Sequence, residues 1–314
     1  MSSIGASDGA EAPLRIVAGP TGAGKSALAL ALAERHGARI VSADSRQIYR
    51  GFDLGTAKPS LAERRSVPHD GIDVADPQER WSAARWASDA TGWLADARTH
   101  GQPALVVGGT GLWLRALVEP LAAVPPMDPA RRQALQRALG AFDTSELRRW
   151  VATLDPPRAA LGRTQLLRAL EVALLTGSRM STLHAAGPAT PRRPARWLIV
   201  DPGDALHERL AARLDAMLAS GWADEVCALI ARVPADAPAW NACGYREIRD
   251  WVEGRLGEAA AREAILVSTR QYAKRQRTWF RNQLAGEPDV LRLDPRDTDA
   301  LARADRWFFD GGPA

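Results

Sequence analysis

The sequence predicts an α/β fold, in which a parallel sheet core is flanked by helices and interrupted by an all-helical insertion. Short apolar runs alternate with helical patterns over the first 120 residues, which is typical of a parallel sheet. From about Pro120 to Pro194 the pattern is helical without a convincing strand, and a strand returns after it. The 314 residues are 46% apolar and 25% charged, which describes a globular chain and excludes a disordered one.

The core elements follow from these patterns in chain order. An apolar strand over Leu14–Ala18 runs into a Gly-rich turn and then into an Ala- and Leu-rich helix over Ser26–His36. Further strands are predicted at Ala38–Val41, Ala104–Val107 and Trp197–Val200. Helices should follow to about Ala285. The ligand site of such a sheet lies at the carboxyl ends of its strands.

Positive charge concentrates in the helical segment. Between Met127 and Trp197 there are 12 arginines against 5 acids, a net charge of +7, whereas the whole chain carries +4. We therefore predict a core domain over residues 14–120 and 197–314, and an insertion over residues 121–196. The charge of the insertion suits a phosphate-backbone partner.

Cysteine usage and the N-terminal composition indicate a cytoplasmic chain. Cys227 and Cys243 are too few for a disulfide framework and lack the spacing of a zinc site. Residues 1–13 lack the features of a signal peptide, and no run approaches the ~18 apolar residues of a membrane span. We expect a monomer that does not enter a membrane.

The segment Gly19-Pro-Thr-Gly-Ala-Gly-Lys-Ser26 fits the P-loop pattern and lies between a strand and a helix, as that pattern requires. Its glycines let backbone N–H groups surround phosphate oxygens, and the following helix points its positive end at them. Lys25 supplies a compact charge, and Ser26 is predicted to bind Mg²⁺. The core is therefore predicted to be P-loop NTPase-like.

A carboxylate suited to phosphoryl transfer is missing from its usual place. Such chemistry normally uses an Asp that closes a later core strand, but Leu105–Val107 runs into Gly108-Gly-Thr-Gly111. Asp201, beyond the insertion, is a weak candidate, so kinase or ATPase chemistry is disfavoured but stays open. Asp44, which follows the second strand, is the carboxylate best placed to act as a general base; a helix cap or loop hydrogen bond is the alternative.

A basic helix is predicted over Ser268–Asn282. Arg270, Lys274, Arg277 and Arg281 follow helical steps of four, three and four, so they lie on one face; Arg275 adds a fifth charge. This pattern favours nucleic-acid binding, with a solvated basic face as the alternative. The interleaved Tyr272, Trp279 and Phe280 could stack on bases or pack in the core, and core packing is expected for the last two.

The chain resembles the tRNA dimethylallyltransferases, also called tRNA isopentenyltransferases or the IPP transferase family. The matching segments, in the family's order, are GPTGAGKS (19–26), SADSRQIYRGFDLGTAKP (42–59), VGGTGLWLRAL (107–117), RALEVALLTG (168–177), GYRE (244–247) and STRQYAKRQRTWFRN (268–282). The chain departs from the family pattern at Asp70, at Leu161-Gly162, and at Asn241 and Glu247.

The resemblance implies transfer of a dimethylallyl group from dimethylallyl diphosphate to N6 of adenosine 37, beside the anticodon in tRNA, with Mg²⁺. It assigns Asp44 and Thr110 to catalysis. Donor binding falls to Gly19, Thr21, Gly22, Ala23, Gly24, Lys25, Ser26 and Arg246. Contacts to the tRNA anticodon stem-loop fall to Asp44, Ser45, Arg46, Gln47, Thr110, Thr164, Gln165, Leu166, Leu167, Arg168, Gly244, Tyr245 and Arg246. The basic helix adds Lys274, Arg275, Arg277 and Arg281 as predicted tRNA contacts.

Two other classes of function stay open. One is a small-molecule P-loop transferase, either an adenylate prenyltransferase or a nucleotide kinase, although a mononucleotide needs no extended positive surface. The other is a non-catalytic P-loop RNA-binding module, against which stands Asp44 beside an intact Lys25 and Ser26. Lysine occurs only at Lys25, Lys58 and Lys274, and for Lys58 the sequence supplies no mechanism.

Overall fold

The computed structural model describes residues 12–187 and 191–309. The predicted N-terminal tail over residues 1–13 lies outside these ranges apart from its last two residues. The chain divides into two compact units, one formed by residues up to 118 and from 193 onward, the other by Glu119–Arg192. No helix within the described ranges is long and apolar enough to cross a membrane.

The first unit contains a six-stranded sheet. Its strands are β1 (Leu14–Ala18), β2 (Arg39–Ser42), β3 (His69–Asp70), β4 (Ala104–Gly108), β5 (Ala195–Val200) and β6 (Val290–Leu293). They lie in the order β3-β2-β4-β1-β5-β6, and every pair is parallel. The predicted α/β class with a parallel sheet is confirmed.

Helices flank this sheet and form the second unit. In chain order they are α1 (Lys25–His36), α2 (Leu61–Ser66), α3 (Ala83–Thr99), α4 (Gly111–Val118), α5 (Pro129–Gly140), α6 (Thr144–Leu154), α7 (Arg163–Thr176), α8 (Met180–Ala185), α9 (Leu206–Ala219), α10 (Trp222–Ile230), α11 (Tyr245–Val252), α12 (Glu258–Gln283) and α13 (Ala300–Phe309). Helices α5 to α8 belong to the second unit.

The apolar strands supply a core on each face of the sheet. Ile16 and Ala18 of β1 pack on the face covered by α3, α4 and α9 to α12, whereas Val17 points to the face covered by α1 and α13. Because side chains alternate along a strand, a continuous apolar run is needed where both faces are buried. This requirement explains why the central strands were readable from the sequence.

The second unit has its own small core. Leu147 and Val151 of α6 pack against Leu166 and Leu170 of α7. Helix α6 starts with a capping box, in which the Asp143 carboxylate accepts hydrogen bonds from the first turn. The described residues of this unit form helices and loops but no strand, as the sequence predicts for the insertion.

Several elements differ from the predictions. Strand β5 begins at Ala195 rather than Trp197, so it includes two residues that were assigned to the insertion. Strands β3 and β6 and helix α13 were not predicted. Helix α12 ends at Gln283, close to the predicted end of the helices near Ala285, and the chain then returns to the sheet edge.

Candidate active site

The P-loop joins β1 to α1 at the carboxyl edge of the sheet. Gly19 has a φ of 151°, and a Cβ there would lie 2.2 Å from the Val200 carbonyl oxygen of β5, so only glycine fits. Helix α1 begins at Lys25, and its positive end faces the loop. The Lys25 ammonium donates a hydrogen bond to the Pro20 carbonyl oxygen at 3.1 Å. The loop therefore has the form that binds phosphate oxygens.

A second cation, Arg213 of α9, lies beside the P-loop. Its guanidinium donates a hydrogen bond to the Thr21 hydroxyl at 3.1 Å. Burial lowers the pKa of Lys25 to about 8, the Asp44 carboxylate opposes this shift, and Arg213 adds to it. Burial also lowers the pKa of Arg213, again with Asp44 in opposition. Two poorly solvated cations in contact with one loop favour a multiply charged anion.

Asp44 lies directly after β2 and faces these cations. Its Oδ1 atom accepts a hydrogen bond from the Arg46 backbone N–H at 2.8 Å, and its Oδ2 atom has no hydrogen-bond partner among the described residues. Thr110, after β4, accepts a hydrogen bond from the Ser45 N–H at 3.0 Å, and its own N–H donates to the Ala43 carbonyl oxygen at 3.2 Å. These bonds fix the loop that carries Asp44 and leave one carboxylate oxygen for a ligand.

Tyr272 of α12 completes the surroundings of this carboxylate. Its hydroxyl lies close to the Thr110 side chain. Burial and, after it, the charge of Asp44 raise the pKa of the hydroxyl above its ordinary value. Tyr272 therefore stays protonated and serves as a neutral polar group beside Asp44, not as a second anion.

These groups share a cavity of about 560 Å³. Its lining includes the charged Lys25, Arg213 and Asp44, and also the large apolar side chains of Leu214, Met217, Trp222, Trp240 and Ile265. A cavity lined by both cations and large apolar side chains suits an anion that carries a short hydrocarbon group.

Most of the predicted donor and acceptor residues meet at this cavity. Those that line it are Thr21, Lys25, Ser26, Asp44, Arg46, Gln47, Arg246 and Arg275. Ser45 and Thr110 adjoin it through their mutual hydrogen bond, and Gly19, Gly22, Ala23 and Gly24 form the P-loop backbone. Arg246 is exposed at the cavity wall and hydrogen-bonds the Asn241 side chain, one of the positions that depart from the family pattern.

Two predicted tRNA contacts on and before α11 have structural roles instead. Tyr245 is fully buried, and its hydroxyl donates a hydrogen bond to Glu225 at 2.6 Å and accepts one from the Gly55 N–H at 3.1 Å. A Cβ at Gly244 would lie 2.3 Å from the Trp222 ring. Neither side-chain position reaches the surface. The predicted RNA contact by Tyr245 is therefore wrong, and this side chain instead supports the loop at Gly55.

The predicted tRNA contacts of the second unit include both exposed and buried residues. Thr164 and Gln165 are exposed at the start of α7, whereas Leu166 is fully buried and Leu167 packs against the same core. The buried Glu171 holds Arg168 by a salt bridge of 3.0 Å. The two leucines thus shape the helix core, and a direct RNA contact by the Leu166 side chain is ruled out by its burial.

The charged face of α12 is interrupted at one position. Lys274, Arg275 and Arg281 are exposed, but Arg277 forms a salt bridge with Asp201, using Nε at 2.9 Å and a second, shorter contact. This pairing corrects two predictions, because Arg277 is not free for a phosphate and the weak metal candidate Asp201 is neutralised by an arginine. Core packing is confirmed for Phe280, which is buried, and Trp279 packs partly buried against the same core.

Three residues of the site were not predicted from the sequence. Arg209 and Arg213 flank the buried leucine stripe of α9 four residues apart, and Arg209 donates to the Gly22 carbonyl oxygen at 3.0 Å. Gln276 is only 7% exposed; its amide oxygen accepts from the Thr21 N–H and its NH₂ group donates to the Gly109 carbonyl oxygen, both at 2.8 Å. The signal for Gln276 was its place three residues after the buried Ala273, on the inner face of α12.

Comparison with known proteins identifies the family. The family model described as IPP transferase matches residues 47–283, and a second model, isopentenyl transferase, matches residues 12–69. The chain belongs to the IPP transferase family. The resemblance drawn from the motifs is thereby confirmed.

Individual members of this family are similar over most of their length. The tRNA dimethylallyltransferase of Halorhodospira halophila is 43% identical over 284 residues, covering 88% of this chain and 92% of that protein. The tRNA dimethylallyltransferase of Stenotrophomonas maltophilia strain K279a is 41% identical over 313 residues, covering 94% and 97%.

Solved structures of IPP transferases share the fold. The full-length tRNA isopentenylpyrophosphate transferase of Bacillus halodurans superposes with a TM-score of 0.68 at 30% identity, covering 96% of this chain and 97% of that one. A eukaryotic dimethylallyltransferase, described as acting on tRNA, gives a TM-score of 0.77 at 25% identity, covering 94% and 78%. The P-loop-type core of this chain is therefore that of the family.

Proposed function

We propose that this chain transfers the dimethylallyl group of dimethylallyl diphosphate to N6 of adenosine 37, beside the anticodon of a tRNA. One observation carries the proposal: Asp44 shares a cavity with Lys25 and Arg213, and large apolar side chains also line that cavity. Relatives at 41% and 43% identity are named tRNA dimethylallyltransferase, which supports the same reaction. The chain is accordingly a prenyltransferase that modifies tRNA.

The P-loop acts on the leaving group. As the bond between the allylic carbon and the diphosphate oxygen breaks, Lys25, Arg213 and the N–H groups at the start of α1 stabilise the negative charge that develops. Carbon is attacked instead of phosphorus, so the carboxylate that phosphoryl transfer normally uses is not needed. This reading explains why no acidic residue follows β4.

Ser26 is the residue that suits Mg²⁺. Its hydroxyl lines the cavity beside Lys25 and makes no hydrogen bond to any described residue. Clusters of three or more His, Cys, Asp or Glu residues that could hold a metal are absent from residues 12–187 and 191–309, so the remaining ligands would come from the diphosphate and water. When bound, Mg²⁺ supplies further neutralisation of the leaving diphosphate.

Asp44 acts on the nucleophile. The lone pair of the adenine N6 amine is delocalised into the ring, so this amine attacks carbon only weakly unless its proton is withdrawn. The unpartnered Oδ2 atom of Asp44 can accept that proton as the new bond to N6 forms. Thr110 and Tyr272 lie beside the carboxylate and offer hydroxyl groups to the incoming base.

The acceptor must be turned out of its stack before N6 can enter the cavity. The exposed Lys274 and Arg275 lie on α12, which also carries Tyr272, and supply cations for the flanking phosphates. We also propose that the protein acts as a monomer. A tRNA substrate supports a cytoplasmic location.

Labelled dimethylallyl diphosphate tests this proposal against its alternatives. The protein is incubated with the labelled donor, Mg²⁺ and, in separate reactions, unmodified tRNA, AMP or ATP. We expect label in tRNA only, on the adenosine next to the anticodon after digestion to nucleosides. Label in AMP would identify an adenylate prenyltransferase, and ATP hydrolysis without label transfer would identify phosphoryl chemistry. A tRNA carrying guanosine at position 37 is the matched control.

A further inference from the structure

Lys58 is one of only three lysines in a chain with 38 other basic residues, and its ammonium is buried. The side chain is 2% exposed. Its three N–H groups have three acceptors: the Tyr49 carbonyl oxygen at 2.6 Å, Asp53 Oδ1 at 2.6 Å and Asp73 Oδ1 at 2.5 Å. A planar, longer guanidinium could not meet three converging acceptors in this space, which explains why lysine stands here.

The bond to Asp73 belongs to a closed ring that we call the Lys58 ring, formed by Gln47, Ala57, Lys58 and Asp73. The Gln47 side-chain amide donates to the Ala57 carbonyl oxygen at 2.9 Å, and Lys58 follows Ala57 in the chain. The Lys58 ammonium donates to Asp73, and the Asp73 backbone N–H donates to the Gln47 carbonyl oxygen at 3.2 Å. The path therefore starts and ends at Gln47.

The ring adjoins the segment that carries Asp44. Gln47, Ala57 and Lys58 line the same cavity as Asp44. The Ser42 hydroxyl donates to the Gln47 amide oxygen at 3.1 Å, so the Gln47 side chain joins the two ends of the six-residue loop that presents Asp44. All hydrogen-bonding groups of the Gln47 amide are used within the protein, which leaves it a scaffold and not a contact to the target nucleotide.

Backbone strain is concentrated in the ring. Ala57 and Asp73 have φ values of 49° and 56°, and they are the non-glycine residues with positive φ within the described ranges. Such conformations persist only where neighbouring contacts hold them, and they tend to occur at functional sites. Lys58 follows Ala57 in the chain, and its ammonium hydrogen-bonds Asp73, so this one side chain holds both residues in their strained conformations.

We propose that Lys58 is a positioning residue, which closes the Lys58 ring and thereby holds the loop of Asp44 in the geometry needed for proton transfer from the acceptor. This inference rests on the proposed function for its catalytic consequence, but the ring itself can be tested without any substrate. Substitution of Lys58→Met keeps the length of the side chain and removes the ammonium.

Arg64→Met is the matched control. Arg64 donates to the other oxygen of the same carboxylate, Asp73 Oδ2, at 2.7 Å, and it does not line the cavity. Both substitutions therefore remove one cation from Asp73, but only the first opens the ring.

Hydrogen exchange measures the ring directly. In Lys58→Met the amides of Ala57 and Asp73 should exchange at least about tenfold faster than in the wild type, and in Arg64→Met they should change less than about threefold. Unchanged protection in Lys58→Met would overturn the proposal whatever reaction the enzyme catalyses.

Single-turnover transfer to tRNA measures the consequence. Lys58→Met should lower the transfer rate at least about tenfold while the Kd values for donor and tRNA change less than about threefold, since the loop is displaced but the binding groups remain. If the affinities for donor and tRNA fall in parallel with the transfer rate, Lys58 has a merely structural role, and the positioning role is refuted. An inactive wild type would refute the proposed function alone, because the exchange result stands independently.

If Lys58→Met fails to fold, Gln47→Leu is a second variant that opens the ring. It removes the bonds to Ser42 and Ala57 without leaving Asp53 and Asp73 unpaired. The same signature, with faster exchange at Asp73 and a slower transfer step at nearly constant affinities, is expected. Retained exchange protection and a retained transfer rate in Gln47→Leu would overturn the proposal.

Discussion

Gln276 supports the donor site from α12, and its replacement by leucine should be costly. The side chain joins the Thr21 N–H of the P-loop to the Gly109 carbonyl oxygen after β4, with both hydrogen bonds at 2.8 Å and 7% of the residue exposed. Leucine has a similar volume but no polar atoms. The substitution therefore leaves a donor and an acceptor without partners at the floor of the cavity.

The magnitude follows from these two orphaned groups. Each buried polar group that loses its partner costs about 1–3 kcal/mol, and water from the cavity can replace part of the loss, so the free energy of unfolding should fall by about 2–4 kcal/mol. Thr21 belongs to the P-loop, so the KM for dimethylallyl diphosphate should also rise. Urea unfolding followed by circular dichroism and steady-state kinetics measure the two effects.

Gln271→Leu is the control, since Gln271 is exposed on the same helix. Its free energy of unfolding should stay within about 0.5 kcal/mol of the wild type. Equal stability of Gln276→Leu and Gln271→Leu, with equal donor KM, would refute the view that Gln276 ties the two loops together.

Two further predictions concern charge. Burial lowers the pKa of Lys25 to about 8, so above pH 8 the lysine must take up a proton when it binds the diphosphate. The Kd for dimethylallyl diphosphate should therefore rise by up to about tenfold per pH unit above pH 8. Calorimetry from pH 7 to 9.5 measures this dependence; Lys25→Met should bind weakly with no such rise, and an equal rise in both proteins would contradict the assignment. Lys274 is exposed and Arg277 is paired with Asp201, so Lys274→Met should reduce the slope of log Kd against log salt for tRNA by about 1, while Arg277→Met should leave it unchanged. Equal slopes for the two variants would contradict the free and paired roles given to these cations.

The sequence predicted those elements whose burial leaves a strong pattern. Strands β1, β2, β4 and β5 are covered on both faces, so each contains an unbroken stretch of apolar residues. Strand β3 has two residues and β6 lies at the sheet edge with little burial, so neither carries such a run. Their pairing is decided by neighbours that are distant in sequence.

The residues of the site were likewise predicted where they form a local pattern and missed where they do not. The P-loop and Asp44 were found because their residues lie close together in the sequence in a spacing that phosphate binding or catalysis requires. Arg213 and Gln276 were missed because each is a single residue on a helix more than 150 positions later, and only the tertiary fold brings it to Thr21. Tyr245 illustrates the reverse error, since a family motif shows that a residue matters without showing whether it contacts the ligand or the protein.

The central claim is that Asp44 withdraws a proton from the acceptor and does not merely hold the site together. Asp44→Asn keeps the size of the side chain and the acceptor for the Arg46 N–H, but it removes the base. The most direct test measures single-turnover transfer from dimethylallyl diphosphate to tRNA together with the Kd values for both substrates. We predict a rate lower by about 10²–10⁴ with Kd values close to the wild type. A rate that falls only in proportion to weakened binding would contradict the claim.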